Sequence, residues 1–348
     1  PVDHINEVGY DEFREKPVGT GPYMVTEWVH KQHIDLARNP DYWDPDNAGY
    51  VDTIHMPIIT SDQTALLQFQ KGELDYSRVP SGHIKAMQSH AKVKSGEWTA
   101  KGWQHITTDF IGFNMNDKVV GGDAGLELRK AMYMAIDAQN LINVVYEGQG
   151  VPATGMVPEG VPGFRPNASP YKTNDVAGAK AALAEYGKDV PTLAYWYWTS
   201  DTAQKSAEVF QNSCKNFGIT TKLANYEWGT FFDKVSRGEG QVFQEGWIAD
   251  YPSMDNFLYP LFQSQQPPDM NLNAHKNPEF DELLDRARAT SDATERYALY
   301  AQAEALLLKD AVIIPVAYPR TFLVTNNRVG GFYSNPLGMI DMWKIWVK

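Results

Sequence analysis

Helical and strand patterns alternate along residues 174–247 of this chain. In order, they predict a helix over 174–186, a strand over 192–198, a helix over 201–217, a strand over 220–224, a short helix over 228–236 and a strand over 242–247. Segments that alternate in this way bury their apolar faces by packing helices on a sheet. This part of the chain is therefore predicted to be an α/β domain.

The length and charge of the chain limit what it can be. Its 348 residues exceed the usual size of a single hydrophobic core and favour about two domains. The formal net charge of −12, without a cluster of Lys or Arg, argues against nucleic acid as a partner. The longest apolar stretch, near residues 311–317, is too short to cross a bilayer and contains Pro315.

Further patterns predict elements outside the alternating region. Residues 23–30 and 33–38 predict a hairpin with a two-residue turn at Lys31 and Gln32, and residues 61–71 predict a short capped helix before Gly72. The apolar spacing over 126–145 predicts one helix. Residues 151–169, rich in proline and glycine, predict an ordered extended loop, and residues 312–324 predict a buried strand that returns to the first domain.

Three motifs occur in a fixed order along the chain. They are Gly-Thr-Gly-Pro-Tyr at 19–23 with Arg-Asn-Pro-Asp-Tyr-Trp at 38–43, Gly-Phe-Asn-Met-Asn at 112–116 with the helical segment 128–137, and Gly-Trp-Ile-Ala-Asp-Tyr-Pro at 246–252 with Asn-Phe-Leu at 256–258. With these motifs the chain resembles the extracellular solute-binding proteins of the oligopeptide/dipeptide ABC-transporter family, solute-binding protein family 5. The resemblance runs from about residue 17 to the end.

The resemblance implies an architecture. It is an α/β fold of the periplasmic-binding-protein-like class II, with two α/β lobes and mixed sheets. The first lobe would combine residues 1–108 with 320–348, and the second would be residues 109–319. Members of the family have a further N-terminal stretch, so the chain is expected to be a C-terminal fragment. The absent part would carry a signal sequence or lipid anchor, which implies a place outside the cytoplasm, in the periplasm or on the cell surface.

The resemblance also implies a ligand site. In the family, an extended peptide lies between the two lobes, and an aspartate binds its amino terminus. That aspartate corresponds to Asp250, and such a charge-assisted hydrogen bond contributes about 1.5–3 kcal/mol. The backbone from Gly246 to Ile248 would pair with the peptide, and Trp247 would form a wall of the site. Tyr251 is a further candidate contact.

Other residue groups have a simpler structural explanation. The run Tyr-Trp-Tyr-Trp at 195–198 has rings that suit sugar stacking, but alternate rings on a strand point to opposite faces, and core packing is expected for at least one pair. Cys214 lies on an apolar helical stripe and is expected in the core. His30 and His33 flank the predicted hairpin turn. Without a third ligand they fall short of a transition-metal set, so no metal site and no cofactor are expected.

The resulting functional prediction is a binding receptor and not an enzyme. It would act as a monomer that delivers di- or oligopeptides to the permease subunits of an ABC importer, with the peptide length left open. A receptor of the same architecture for a non-peptide solute, either an oligosaccharide or a metal complex, is the alternative. A glycoside-type hydrolase is a more distant one, because carboxylates and tryptophans are plentiful but no catalytic pair can be assigned.

Overall fold

The computed structural model describes residues 2–348, and the chain forms two compact units. The first unit runs to Trp103 and resumes over Thr321–Lys348, and the second unit is Gln104–Arg320. The units begin and end within a few residues of the predicted lobes. No helix of the described residues has both the length and the apolar character needed to span a membrane.

The first unit begins with short elements. In chain order these are α1 (Val2–Val8), α2 (Tyr10–Glu15), β1 (Tyr23–Val29), β2 (His33–Arg38), β3 (Thr53–Pro57), α3 (Asp62–Lys71), β4 (Tyr76–Arg78), α4 (Ile84–Gln88), α5 (Ala91–Lys94) and β5 (Trp98–Gln104). The first three strands form an antiparallel sheet in the order β1-β2-β3. In the core of this unit, α3 and α4 pack against β5 and the returning segment around residues 322–324. The buried core residues are Leu66, Phe69, Val79, Ile84, Met87, Trp98, Phe322 and Val324.

Two local predictions in the first unit have different outcomes. Helix α3 begins after Ser61, whose side chain accepts a hydrogen bond from the N–H of Thr64, and ends at Gly72 in the left-handed conformation, as predicted. The hairpin turn has three residues instead of two, because Val29 pairs with His33. Lys31 adopts a positive φ of 65° there, which a three-residue hairpin loop requires of one residue.

The second unit contains most of the helices. In chain order its elements are β6 (Thr107–Phe113), α6 (Leu126–Ala135), α7 (Ala138–Val145), β7 (Gly150–Pro152), α8 (Val176–Tyr186), β8 (Leu193–Trp198), α9 (Asp201–Lys215), β9 (Thr221–Tyr226), α10 (Trp228–Ser236), β10 (Val242–Ile248), α11 (Met254–Phe262), α12 (Pro278–Ala289), α13 (Ala293–Lys309) and β11 (Ile313–Asn326), whose end belongs to the first unit. Short strands β12 (Val329–Gly330) and β13 (Trp346–Val347) complete the first unit.

The sheet of the second unit is mixed. Its strand order is β11-β6-β10-β8-β9, with β7 also paired to β11. The β6 strand pairs antiparallel with β10 and β11, whereas β8 pairs parallel with β9 and β10. The α/β class with mixed sheets, predicted from the sequence, is confirmed. The predicted long strand before the C-terminus is β11, which pairs with β6 and, through residues 323–325, with β4.

The aromatic run on β8 belongs to the core on one face. Tyr195 and Tyr197 are buried, and Tyr195 packs against Phe210 of α9 at 4.8 Å between ring centroids. Trp196 and Trp198 are half-buried on the opposite face. Core packing of one pair is therefore confirmed. Cys214 is also fully buried, and burial raises the pKa of its thiol.

The predicted helix over 126–145 is two helices. The chain leaves the helical conformation at Ile136, and Asp137 begins α7 by accepting a hydrogen bond from the N–H of Asn140. The carbonyl of Ile136 accepts a hydrogen bond from the N–H of Asn174 instead of from its own helix. An aspartate that caps a new helix from its side chain explains the break.

Two buried charged groups connect loops to this fold. The Arg129 guanidinium donates to the carbonyls of Val120, Gly122 and Asp310, so one side chain of α6 holds two other chain segments. Glu304 accepts hydrogen bonds from the N–H of Val157 and from Arg165. The prediction that the loop over 151–169 is ordered is confirmed.

Candidate ligand-binding site

The two edges of β10 differ. Along one edge, β10 pairs with β6 from Val242 to Ile248. Along the other edge, it pairs with β8 only at Val242 and Phe243, and no further strand of residues 2–348 pairs there. Beyond Phe243 this edge of β10 therefore has no strand partner, and from Gly246 to Ile248, where the residues are exposed or half-buried, it forms an open strand edge. A strand edge of this kind can accept an added extended chain through main-chain hydrogen bonds.

The predicted backbone segment lies on this open edge. Gly246 is exposed, Trp247 is half-buried and Ile248 is 44% exposed. The strand partner of Gly246 is Asp109, and a Cβ atom at position 246 would lie 3.0 Å from its Oδ1. Asp109 in turn accepts a hydrogen bond from the hydroxyl of Tyr146. The segment is therefore accessible, and a second carboxylate lies beside it.

Asp250 follows the end of β10 and is exposed. Buried Asn256 on α11 holds it at two points, because its Oδ1 accepts from the Asp250 N–H at 2.9 Å and its Nδ2 donates to Asp250 Oδ2 at 3.3 Å. The same Oδ1 accepts from Nε1 of Trp247 at 3.1 Å. Among the described residues, no Lys or Arg side chain forms an ion pair with Asp250. Its carboxylate is thus oriented by an amide and not neutralised by a cation.

A second acidic residue orients Tyr251. Asp255 accepts hydrogen bonds from the hydroxyls of Tyr251 at 2.8 Å and Tyr300 at 2.9 Å. Arg288 lies 3.6 Å from the same carboxylate and so partly balances its charge. Partial burial and the bond to Asp255 raise the pKa of Tyr251, whose ring is 45% exposed. The ring next to Asp250 therefore has a fixed position.

Glu245 precedes the exposed segment but is itself buried. Burial raises the pKa of its carboxyl to about 8, opposed by a hydrogen bond with Asn273. Such a carboxyl is mostly protonated at neutral pH. It adds little charge beside the open edge, in contrast to exposed Asp250.

The five predicted site residues therefore lie together at the end of β10, namely Gly246, Trp247, Ile248, Asp250 and Tyr251. Sequence reasoning missed Asn256 and Asp109. Asn256 lies six residues after Asp250 in a motif that had been noted, but its role depends on how α11 folds back on β10. Asp109 comes from a strand far away in the chain, and no local signal points to it.

Comparison with known proteins identifies the family. Residues 2–269 match the profile described as "Bacterial extracellular solute-binding proteins, family 5 Middle". The chain belongs to the family-5 solute-binding proteins. This confirms the resemblance seen in the three sequence motifs.

Several relatives match this family-5 chain over most of its length. It is 31% identical over 324 residues to the oligopeptide-binding protein OppA of Bacillus subtilis. The aligned region covers 90% of this chain and 58% of OppA. It is 31% identical over 342 residues to the periplasmic oligopeptide-binding protein OppA of Salmonella typhimurium, covering 95% of this chain and 61% of that protein. The chain therefore spans less than two thirds of the length of these relatives.

A solved structure has the same fold. The periplasmic binding protein DppA from Helicobacter pylori, in complex with the peptide STSA, superposes with a TM-score of 0.88 at 27% identity. The match covers 99% of this chain and 66% of that one. The predicted periplasmic-binding-protein-like fold class is confirmed.

Proposed function

We propose that this family-5 protein is a receptor that binds peptides by their free amino terminus and backbone. The observation that carries the proposal is the exposed Asp250 carboxylate, held by Asn256 at the end of an open strand edge. An ammonium group placed there would form a charge-assisted hydrogen bond with a carboxylate that has no competing cation.

The open edge of β10 supports binding of the peptide backbone. Main-chain pairing with residues 246–248 is independent of the side chains of the peptide, which suits a receptor for varied sequences. Exposed Ile248 and half-buried Trp247 would border the first peptide residues. We assign this role to the second unit, Gln104–Arg320, as the lobe that captures the amino terminus.

The relatives support the transport setting of the proposal. Both OppA proteins are named oligopeptide-binding proteins, one of them periplasmic, and DppA was solved with a bound peptide. By analogy the protein acts outside the cytoplasm as a monomer. It presents peptides to the permease subunits of an ABC importer and catalyses no reaction on them.

Calorimetry with the full-length protein tests the proposal. Di-, tri- and tetrapeptides, including Ser-Thr-Ser-Ala, are titrated with a free and with an acetylated amino terminus. Acetylation is expected to weaken binding about 10- to 150-fold, the equivalent of about 1.5–3 kcal/mol. Asp250→Asn is expected to weaken binding of the free peptide similarly, and acetylation should then have little further effect, because both changes remove the same interaction.

Asp189→Asn is the matched control, because Asp189 is an exposed aspartate in the loop before β8. It should bind the free peptide as the parent does. Equal affinities of the parent for free and acetylated peptides would contradict the assignment of Asp250. Binding of an oligosaccharide in place of all peptides would support the non-peptide alternative.

A further inference from the structure

A second group of charged side chains lies on the three-stranded sheet of the first unit. Glu27 on β1, Asp35 on β2 and His55 on β3 are direct cross-strand partners, Glu27 opposite Asp35 and Asp35 opposite His55. Because side chains alternate along a strand, His33 lies on the same face as Asp35. Four groups that commonly bind metals therefore share one sheet face.

A β-bulge brings Glu27 into this group. The pairing of β1 with β2 shifts between Val25 and Glu27, which leaves Thr26 as an extra residue. With regular pairing after Val25, Thr26 would lie opposite Asp35. The bulge therefore places a carboxylate, in place of a hydroxyl, beside Asp35 and His33.

The distances among three of these groups suit one metal ion. His33 Nε2 lies 3.2 Å from Glu27 Oε2 and 3.6 Å from Asp35 Oδ2, and the three ligand atoms all lie within 4.8 Å of one another. A tetrahedron with metal–ligand bonds of about 2.0–2.1 Å has edges of about 3.3–3.4 Å. Two of the three separations are therefore close to those around a tetrahedral ion.

His55 holds the central carboxylate from the other side. Its Nδ1 lies 2.5 Å from Asp35 Oδ1, the oxygen that does not face His33. The His33 and His55 rings are 5.2 Å apart, so they do not compete for the same position. A hydrogen bond to the second oxygen of a ligating carboxylate fixes its orientation and is a regular feature of metal sites.

His30 and His33 alone lack a third metal ligand, which is why the sequence predicts no metal site at this hairpin. The structure separates that pair, because His30 Nε2 lies 2.7 Å from Glu15 and the His30 ring packs at a tilt against Trp28. It gives His33 two carboxylate neighbours instead, Glu27 and Asp35. The missing ligands thus come from both sides of the hairpin.

We propose that Glu27, His33 and Asp35 bind a divalent transition-metal ion, with Zn²⁺ the ion that best suits the donors, while His55 orients Asp35. One imidazole and two carboxylates match the preference of Zn²⁺ for nitrogen and oxygen donors, and the two negative charges balance the ion. Three protein ligands leave a fourth position for water or another ligand. Its residues belong to the first unit, whereas the residues of the proposed peptide site belong to the second.

Metal titration of the full-length, tag-free protein tests the proposal. After treatment with a chelator, the parent is expected to bind one Zn²⁺ per chain in calorimetry. Co²⁺ bound in its place should give the visible absorption of a tetrahedral ion. His33→Ala and Glu27→Gln are each expected to weaken Zn²⁺ binding at least about 10-fold, and His55→Ala about 10-fold through the orientation of Asp35.

His30→Ala is the matched control, because this histidine borders the same turn but contacts Glu15. It should bind Zn²⁺ as the parent does. Glu27→Gln keeps the shape of an exposed side chain, so it tests the ligand even if His33→Ala disturbs the hairpin. The proposal is wrong if the parent binds no Zn²⁺ at 100-fold excess over protein, or if Glu27→Gln and His33→Ala bind it unchanged.

Discussion

The three-stranded sheet of the first unit and the β10 region of the second unit use their strands differently. No residue of β1, β2 or β3 is buried, whereas residues 242–245 of β10 are all buried. An uncovered strand presents its side chains, so side-chain chemistry can decide what binds to it. Residues 242–245 of β10 are covered and cannot bind through their side chains. The proposed peptide site therefore lies further along the strand, at residues 246–248, where the strand edge is unpaired and the residues are exposed or half-buried.

Truncation of one isoleucine in each sheet is the strongest test of this contrast. Ile111 on β6 is 2% exposed, whereas Ile34 on β2 is half-buried. Ile111→Ala is expected to lower the free energy of unfolding by about 2–5 kcal/mol, because it leaves a cavity in a packed core. Ile34→Ala is expected to cost less than about 1 kcal/mol. Urea unfolding followed by circular dichroism measures both, and equal losses would remove the contrast.

Buried Glu245 offers a second test, through pH. The pKa of its carboxyl is raised from 4.5 to about 8 in the folded protein. The folded state therefore keeps a proton that the unfolded state releases between these values, and stability falls as pH rises through that window. Glu245→Gln cannot lose this proton. It is expected to gain on the order of 4 kcal/mol over the parent at pH 8 and about 1 kcal/mol at pH 5.

Thermal unfolding of both proteins from pH 5 to pH 8 measures this difference. Glu282→Gln is the control, because Glu282 is an exposed glutamate on α12. That variant should follow the pH dependence of the parent. If the curves for Glu245→Gln and the parent stay parallel across the window, Glu245 is ionised in the folded state.

Substitution of Asn256 is expected to give the smallest change in stability. It also tests whether this buried side chain is needed to orient Asp250 at the open edge of β10. Asn256→Ala removes the hydrogen bonds to Trp247 and Asp250, with an expected loss of about 1–2 kcal/mol in stability. Peptide affinity should fall about 10-fold as Asp250 loses its orientation. Asn212→Ala, an exposed asparagine on α9, should change neither quantity. An unchanged peptide affinity in Asn256→Ala would mean that Asp250 needs no support.

Local patterns in the sequence were sufficient for much of the fold. Helix α10 (Trp228–Ser236) has the predicted bounds, and helix α9 (Asp201–Lys215) begins at the predicted residue and ends two residues before the predicted end. Apolar spacing, caps and glycine stops act within a few residues, so they can be read along the chain. The break at Ile136 was missed because the apolar spacing continues through it, although Asp137 caps α7 locally; the distant contribution is the N–H of Asn174, which donates to the Ile136 carbonyl.

The two candidate sites also combine features that the local sequence predicts with features that depend on tertiary contacts. The family motif was enough to single out Asp250 and the strand before it, since that motif is continuous in the chain. Its exposed carboxylate, the open edge of β10 and the support of Asn256 follow from how strands and helices pack. The group around His33 depends on strand pairing and on one bulge at Thr26, which bring residues 27, 33, 35 and 55 together. Side chains that meet across strands are placed by register, and in a hairpin the register depends on the length of the turn and on bulges, which the alternation of residues along each strand leaves open.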